Sequence, residues 1–255
     1  MATAVASLRR AGAVLSRDQW LQQAEQAERE GSALTCAAIV KATLHLDIDE
    51  EDRRRVWVED AQGCLEKHCI ETARAIYACA LHEFPDAVSV WREAAQLEKL
   101  HGSRESLEAL LERAVSSVPR AEPLWLLYAD ERRAAQDVRG AREVLIRAFD
   151  ANLGSESISL AAASLEAETG ERHAAAMLLE RARQEVGSVR VWLKSATFER
   201  NDGHPERALE LVRQALERFP RAEKLRLMHG QLHEQLAEAA GSGEAVSYTH
   251  LRAHE

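Results

Sequence analysis

Little in this chain interrupts a helix. Prolines number 5 and glycines 12 in 255 residues, and β-branched residues are thin beside Ala, Leu, Glu, Arg and Gln. That composition favours helix over strand nearly everywhere, so an all-α fold is expected. No run of about 18 uncharged apolar residues occurs, and the opening MATAVASLRRAGAVL is short and broken by Arg9 and Arg10. Neither a membrane span nor a secretory leader is expected, and the chain reads as soluble and intracellular. Cysteine is scarce: Cys36, Cys64, Cys69 and Cys79 share no zinc-type pairing and sit among apolar neighbours, so buried reduced thiols are expected. An excess of positive charge is missing too. The formal net charge of −9 argues against a non-specific grip on a phosphate backbone, which needs clustered Lys and Arg. Nucleophile motifs, phosphate-cradling glycine loops and dinucleotide fingerprints are absent, so no enzyme, cofactor or small-molecule substrate is expected and partners are expected to be proteins.

What is present is a repeat. Trp57, Trp91 and Trp125 step by 34; the same ruler reaches Ser159, then Trp192 after 33, then Arg226 after another 34. A small residue follows four positions on in every unit, as Ala61, Ala95, Ala129, Ala163, Ala196 and Gly230. Glu98, Glu166 and Glu199 stand seven after the start, with Cys64, Arg132 and His233 as departures. Later in each unit come Ala80, Ala114, Ala148, Ala182 and Ala215, three of them preceded by Arg113, Arg147 and Arg181. Units end at breakers: Phe84-Pro85, Val118-Pro119, Asn152-Leu153-Gly154, Val186-Gly187 and Phe219-Pro220. Mid-unit breaks near His68, Gly102, Asp137, Gly170 and Gly203 divide each repeat into two helices of about a dozen residues.

The spacings place these columns on helix faces. Trp91, Ala94, Ala95 and Glu98 share one face of a first helix, while Leu107, Leu110, Leu111 and Ala114 make the matching stripe on a second. Alanine at the crossing lets two axes approach, and Trp fills the wider gap beside it. One such pair cannot bury both faces, so pairs must stack: a right-handed α-α superhelix, or solenoid, of about six pairs. The segment from Arg17 fits the plan with Trp20, Ala24, Gly31 and Ala42, its step of 37 to Trp57 leaving three extra residues in the loop DIDEEDRRR. The array is expected over 17–240, with repeats near Trp20, Trp57, Trp91, Trp125, Ser159 and Trp192 and a partial one at Arg226. Residues 1–16 read as the end of a preceding helix. The register is expected to stop near Ala240, and 241–255, whose VSYTHLRAHE resembles translated adaptor sequence, reads as a non-native-looking or disordered tail.

Candidate chemistry is weak against structural readings. His229 and His233, four apart on a helix, have metal-ligand spacing, but no third ligand is evident; His250 and His254 fall in the tail. The recurrence of Glu98, Glu166 and Glu199 at one repeat position points to packing, with Arg113 or Arg181 of a neighbouring helix as partner, rather than to acid–base work. The Trp column could stack bases, but its small apolar neighbours point inward. The run Asp49 to Arg55 reads as a solvated loop and helix start.

The columns W-x3-A-x2-E and R-A before proline resemble the half-a-TPR, or HAT, repeat. More narrowly, RDQWLQQAE, EEDRRRVWVEDA, ARAIYACALHEFP, GSRESLEALLERAV and EPLWLLYADERRAAQDVRGAR resemble the pre-mRNA-processing factor 6 family, from about Arg17 to about Glu238. The resemblance implies a nuclear, non-catalytic scaffold in pre-mRNA splicing that bridges proteins of the U5 and U4/U6 particles in the tri-snRNP and contacts RNA only indirectly. It also implies that this chain is part of a longer array. Alternatives are a HAT scaffold of mRNA 3′-end processing or ribosomal RNA maturation, or a direct RNA-binding module. Partners are expected on exposed helix positions along a concave surface.

Overall fold

The computed structural model describes residues 16–252, with side chains to residue 239. The expected lead-in therefore lies outside the described residues except for Ser16, as do the last three residues of the tail. Among the described residues every regular element is helical, thirteen in all. They are α1 Arg17–Arg29, α2 Ala33–Thr43, α3 Arg53–Glu66, α4 Ile70–Glu83, α5 Val88–His101, α6 Arg104–Ser117 and α7 Glu122–Ala134. There follow α8 Val138–Ala151, α9 Glu156–Glu168, α10 Arg172–Glu185, α11 Val189–Asn201, α12 Pro205–Arg218 and α13 Glu223–Arg252. The last does not stop near Ala240: it runs through the Gly-Ser-Gly to Arg252, where Glu and Ala beside the glycines favour helix.

The breaks have repeated geometry. Phe84, Val118, Asn152, Val186 and Phe219 are each a C-cap of a second helix, donating its N–H to the carbonyl of Ala80, Ala114, Ala148, Ala182 or Ala215. Pro85, Pro119 and Pro220 come next and are exposed, and a ring nitrogen without an N–H ends the helix there. First helices end differently. Gly31, Gly170 and Gly203 adopt φ of 81°, 84° and 85°, and His68 and Gln136 stand at 60° and 61° in equivalent turns. The residue after each returns its N–H to the carbonyl five back, as Ser32 to Ala27 and Glu171 to Glu166, which satisfies carbonyls the helix would otherwise orphan.

The chain forms two compact units, Met1–Leu124 and Trp125–Glu255. In the first, α1 pairs with α2, α3 with α4 and α5 with α6, while α2 packs on α4 and α4 on α5. In the second, α9 pairs with α10, α11 with α12 and α12 with α13, with α8 against α9 and α10 against α11. The columns supply the cores. Trp57, Trp91, Trp125 and Trp192 are buried, as are Ala61, Ala95, Ala129, Ala163 and Ala196 on first helices and Ala80, Ala114, Ala148, Ala182 and Ala215 on second helices. Ala95 is 2% exposed, so Ala95→Leu is expected to push helices apart and cost about 1–3 kcal/mol. A urea midpoint equal to wild type would remove it from the crossing point.

A further column is legible in the aliphatic residues. From the third repeat on, the residues just before the Trp positions, Val90, Leu124, Ile158, Val191 and Leu225, are all 0% exposed, whereas Val56 before Trp57 is half-buried. In the last repeat Leu225 faces inward while Arg226 is exposed, so the Trp position itself has left the core there. Cys36, Cys64 and Cys69 are buried and Cys79 is half-buried. Burial pushes all four thiols up, Cys64 to about 12, so they are protonated and inert at neutral pH.

Candidate protein-interaction groove

Two of the three column glutamates, Glu98 and Glu166, end in ion pairs, though not with the arginines expected. Glu98 on α5 receives Arg74 Nε of α4 at 2.6 Å and the Ser106 hydroxyl of α6 at 2.6 Å. Glu166 on α9 receives Arg142 of α8 at 2.7 and 2.6 Å. Glu199 is half-buried and lies 3.8 Å from His204 Nδ1. Antiparallel pairing explains these partners: the end of a first helix is level with the beginning of its neighbours. Arg113 is seven residues beyond Ser106, about 10 Å along α6 from Glu98's level. Gly102 is required at this junction, since a Cβ there would collide with the Glu98 carboxylate and the Ser106 hydroxyl.

Arg113 and its equivalents instead cover the tryptophans, because the end of a second helix is level with the start of the first. Arg113 lies 5.7 Å over Trp91 and Arg147 5.3 Å over Trp125. Where Ser159 replaces Trp, Arg181 turns to Phe149 at 4.5 Å, and Ser159 is buried with its hydroxyl donating to the Ser155 carbonyl at 2.8 Å. The indole N–H groups of Trp57 and Trp91 donate to the carbonyls of Leu44 and Pro85 at 3.0 and 2.8 Å, which close the preceding second helices. With rings 2–5% exposed, the four column tryptophans offer no open face to a base.

His229 and His233 meet edge to face at 4.5 Å on α13. Burial, then His233 and Arg213, hold His229 below its ordinary value. No group of three His, Cys, Asp or Glu that could hold a metal occurs among the described residues. The Asp49–Arg55 run is solvated at Arg55, which pairs with Asp52 and Glu59 at 2.8 and 3.2 Å.

The concave features lie within the units. In the first, α4, α5 and α6 line a cavity of about 680 Å³ with Tyr77, Leu81, Leu97 and Leu110 as apolar wall. Leu110, expected in the buried stripe, is only half-buried and turns to this cavity. A second cavity of about 550 Å³ is lined by Lys41, Trp57, Cys79 and His82. Ala78 and Arg113 line both, so the two run together over α4, where Ala78 presents only a methyl group. In the second unit a smaller cavity of about 180 Å³ lies between α9 and α11.

Paired helices with small-residue crossings and open grooves define a helical-repeat protein. A PRP39 N-terminal HAT repeat model matches residues 49–165 and a tetratricopeptide repeat model matches residues 189–232. The chain is 45% identical to Pre-mRNA-splicing factor prp1 of Schizosaccharomyces pombe over 117 residues, 46% of this chain and 13% of that protein. It is 48% identical to Pre-mRNA-processing factor 6 of Homo sapiens over 92 residues, 36% of this chain and 10% of that protein. It is 50% identical to Protein STABILIZED1 of Arabidopsis thaliana over 216 residues, 85% of this chain and 21% of that protein. Among solved structures it is similar to a thermophilic TPR protein of Thermus thermophilus, with TM-score 0.46 and 18% identity over 70% of this chain and 98% of that one. Over residues 49–165 the chain matches HAT repeats, and it is similar to pre-mRNA-processing factor 6. It spans 10–21% of the length of these curated relatives.

Proposed function

We propose that this chain is a non-catalytic scaffold of pre-mRNA splicing that acts in the nucleus and holds proteins of the U5 and U4/U6 particles together in the tri-snRNP. RNA contact is indirect in this reading. The observation that carries it is the identity of 45% and 48% to proteins named as pre-mRNA splicing and processing factors. Two features support it: open apolar grooves of the kind that take peptide side chains, and column tryptophans committed to the cores. Repeat scaffolds sum modest contacts over a long surface, so single surface substitutions are expected to weaken capture far less than core lesions do.

The test is affinity capture by the whole chain from nuclear extract, with mass spectrometry of bound proteins and probing of small nuclear RNAs, with and without nuclease. U5 and U4/U6 proteins that persist after nuclease are the expected result. Cleavage-factor or nucleolar proteins in their place would move the chain to another HAT scaffold, and complete loss on nuclease treatment would make it an RNA binder.

A further inference from the structure

We infer that the groove over α4 in the first unit takes an acidic segment of a partner protein, anchored by a leucine or aromatic side chain. The inference rests on the scaffold reading and names the partner chemistry of one face. Its cations are Lys41, Arg53, Arg74 and Arg113; its anions are Glu83 and Glu98. Both anions are already engaged, Glu83 by Arg53 at 3.6 Å and Glu98 by Arg74 at 2.6 Å. Lys41 and Arg113 are exposed and have no ion-pair partner among the described residues. Arg113 is held in place by the Trp91 ring, which fixes the guanidinium without neutralising it.

The groove therefore carries two uncompensated positive charges on a chain whose formal net charge is −9. His45, His82 and His101 also line it and add no negative charge. A concave site with low-dielectric walls focuses such a field and selects partners of opposite sign. Beside Arg113, in the first cavity, lie Tyr77, Leu81, Leu97 and Leu110, an apolar wall that a fully charged segment would leave unfilled. Nucleic acid fits poorly: two free cations neutralise few phosphates, and the neighbouring Trp57 and Trp91 rings are closed to stacking. An acidic segment with one apolar anchor satisfies both the charges and the wall.

The test selects displayed peptides on the whole chain from two pools, one of Asp and Glu with single Leu or Phe residues and one with Lys and Arg in place of the acids. The acidic pool is expected to be enriched about tenfold over the basic pool, less so when salt is raised from about 50 to about 300 mM. Lys41→Glu, at an exposed site without an ion-pair partner among the described residues, and Arg113→Gln are each expected to remove most of that preference. Arg139→Glu, on a side chain 91% exposed in the second unit, is expected to leave it intact. Equal enrichment of the pools, or an acidic preference undiminished in Lys41→Glu with helix content unchanged, overturns the proposal. So does displacement of the peptides by polyuridylate RNA, which would make the groove a nucleic-acid site. Running the wild-type chain through both the peptide selection and the nuclear-extract capture separates the two readings. Peptide selection without U5 or U4/U6 proteins sinks the splicing assignment alone, and capture without acidic selection sinks the groove alone.

Discussion

Trp91→Ala is expected to destabilise the first unit by about 3–5 kcal/mol, which is a large part of the roughly 5–15 kcal/mol that holds an ordinary domain together. Three losses combine. The ring is 2% exposed, so its removal leaves a cavity that flanking helices can only partly close. Its N–H donates to the Pro85 carbonyl at 2.8 Å, a group that closes α4, and that carbonyl loses a partner. Arg113 loses the face it lies on at 5.7 Å. Because neighbouring pairs bury one another, damage at α5 weakens α4 and α6 together. Urea denaturation followed by helix content checks this, and a wild-type midpoint combined with lost partner capture would make Trp91 a surface anchor instead.

Glu98→Ala is expected to cost about 2 kcal/mol, less than a fully buried pair would, because Arg74 keeps Glu71 and is 33% exposed to water. The same carboxylate makes stability depend on pH. Burial alone would raise Glu98, but the bonds from Arg74 and Ser106 outweigh it and hold the carboxyl below its ordinary 4.5. The unfolded chain then binds this proton more readily than the folded one. The stabilisation is complete above the ordinary carboxylate range and drains away as pH falls through the lower folded value. Wild type is therefore expected to lose more stability than Glu98→Gln between about pH 5 and about pH 3, with the two converging below. Parallel pH profiles over that window would mean that the ion pair contributes nothing net.

The helix boundaries were open to reading because they depend on local chemistry. Proline lacks an N–H and glycine tolerates positive φ, so Phe84-Pro85, Gly170 and Gly203 announce helix ends wherever the rest of the chain lies. His68 and Gln136 occupy the same left-handed turn without being glycine, and only repeat register pointed to them. The 0%-exposed column of Val90, Leu124, Ile158, Val191 and Leu225 was equally visible as periodicity, but common aliphatic residues stand out less than tryptophan does.

The partners of the charged columns were not open in the same way. Spacing within a repeat shows which residues share a face of one helix but not which neighbouring helix is level with them. Stacking decided that Glu98 meets Arg74 and Arg113 meets Trp91. The groove belongs to the same category. Its walls come from the successive helices α2 to α6, and its charge balance depends on which pairs form when those helices pack. By itself the sequence determined the period, the breakers and the inward stripes, since these follow from backbone sterics and the 3.6-residue turn. Only the tertiary structure decided which charges are neutralised and which face solvent, because Coulomb energy and burial depend on distances between residues that the chain order does not bring together.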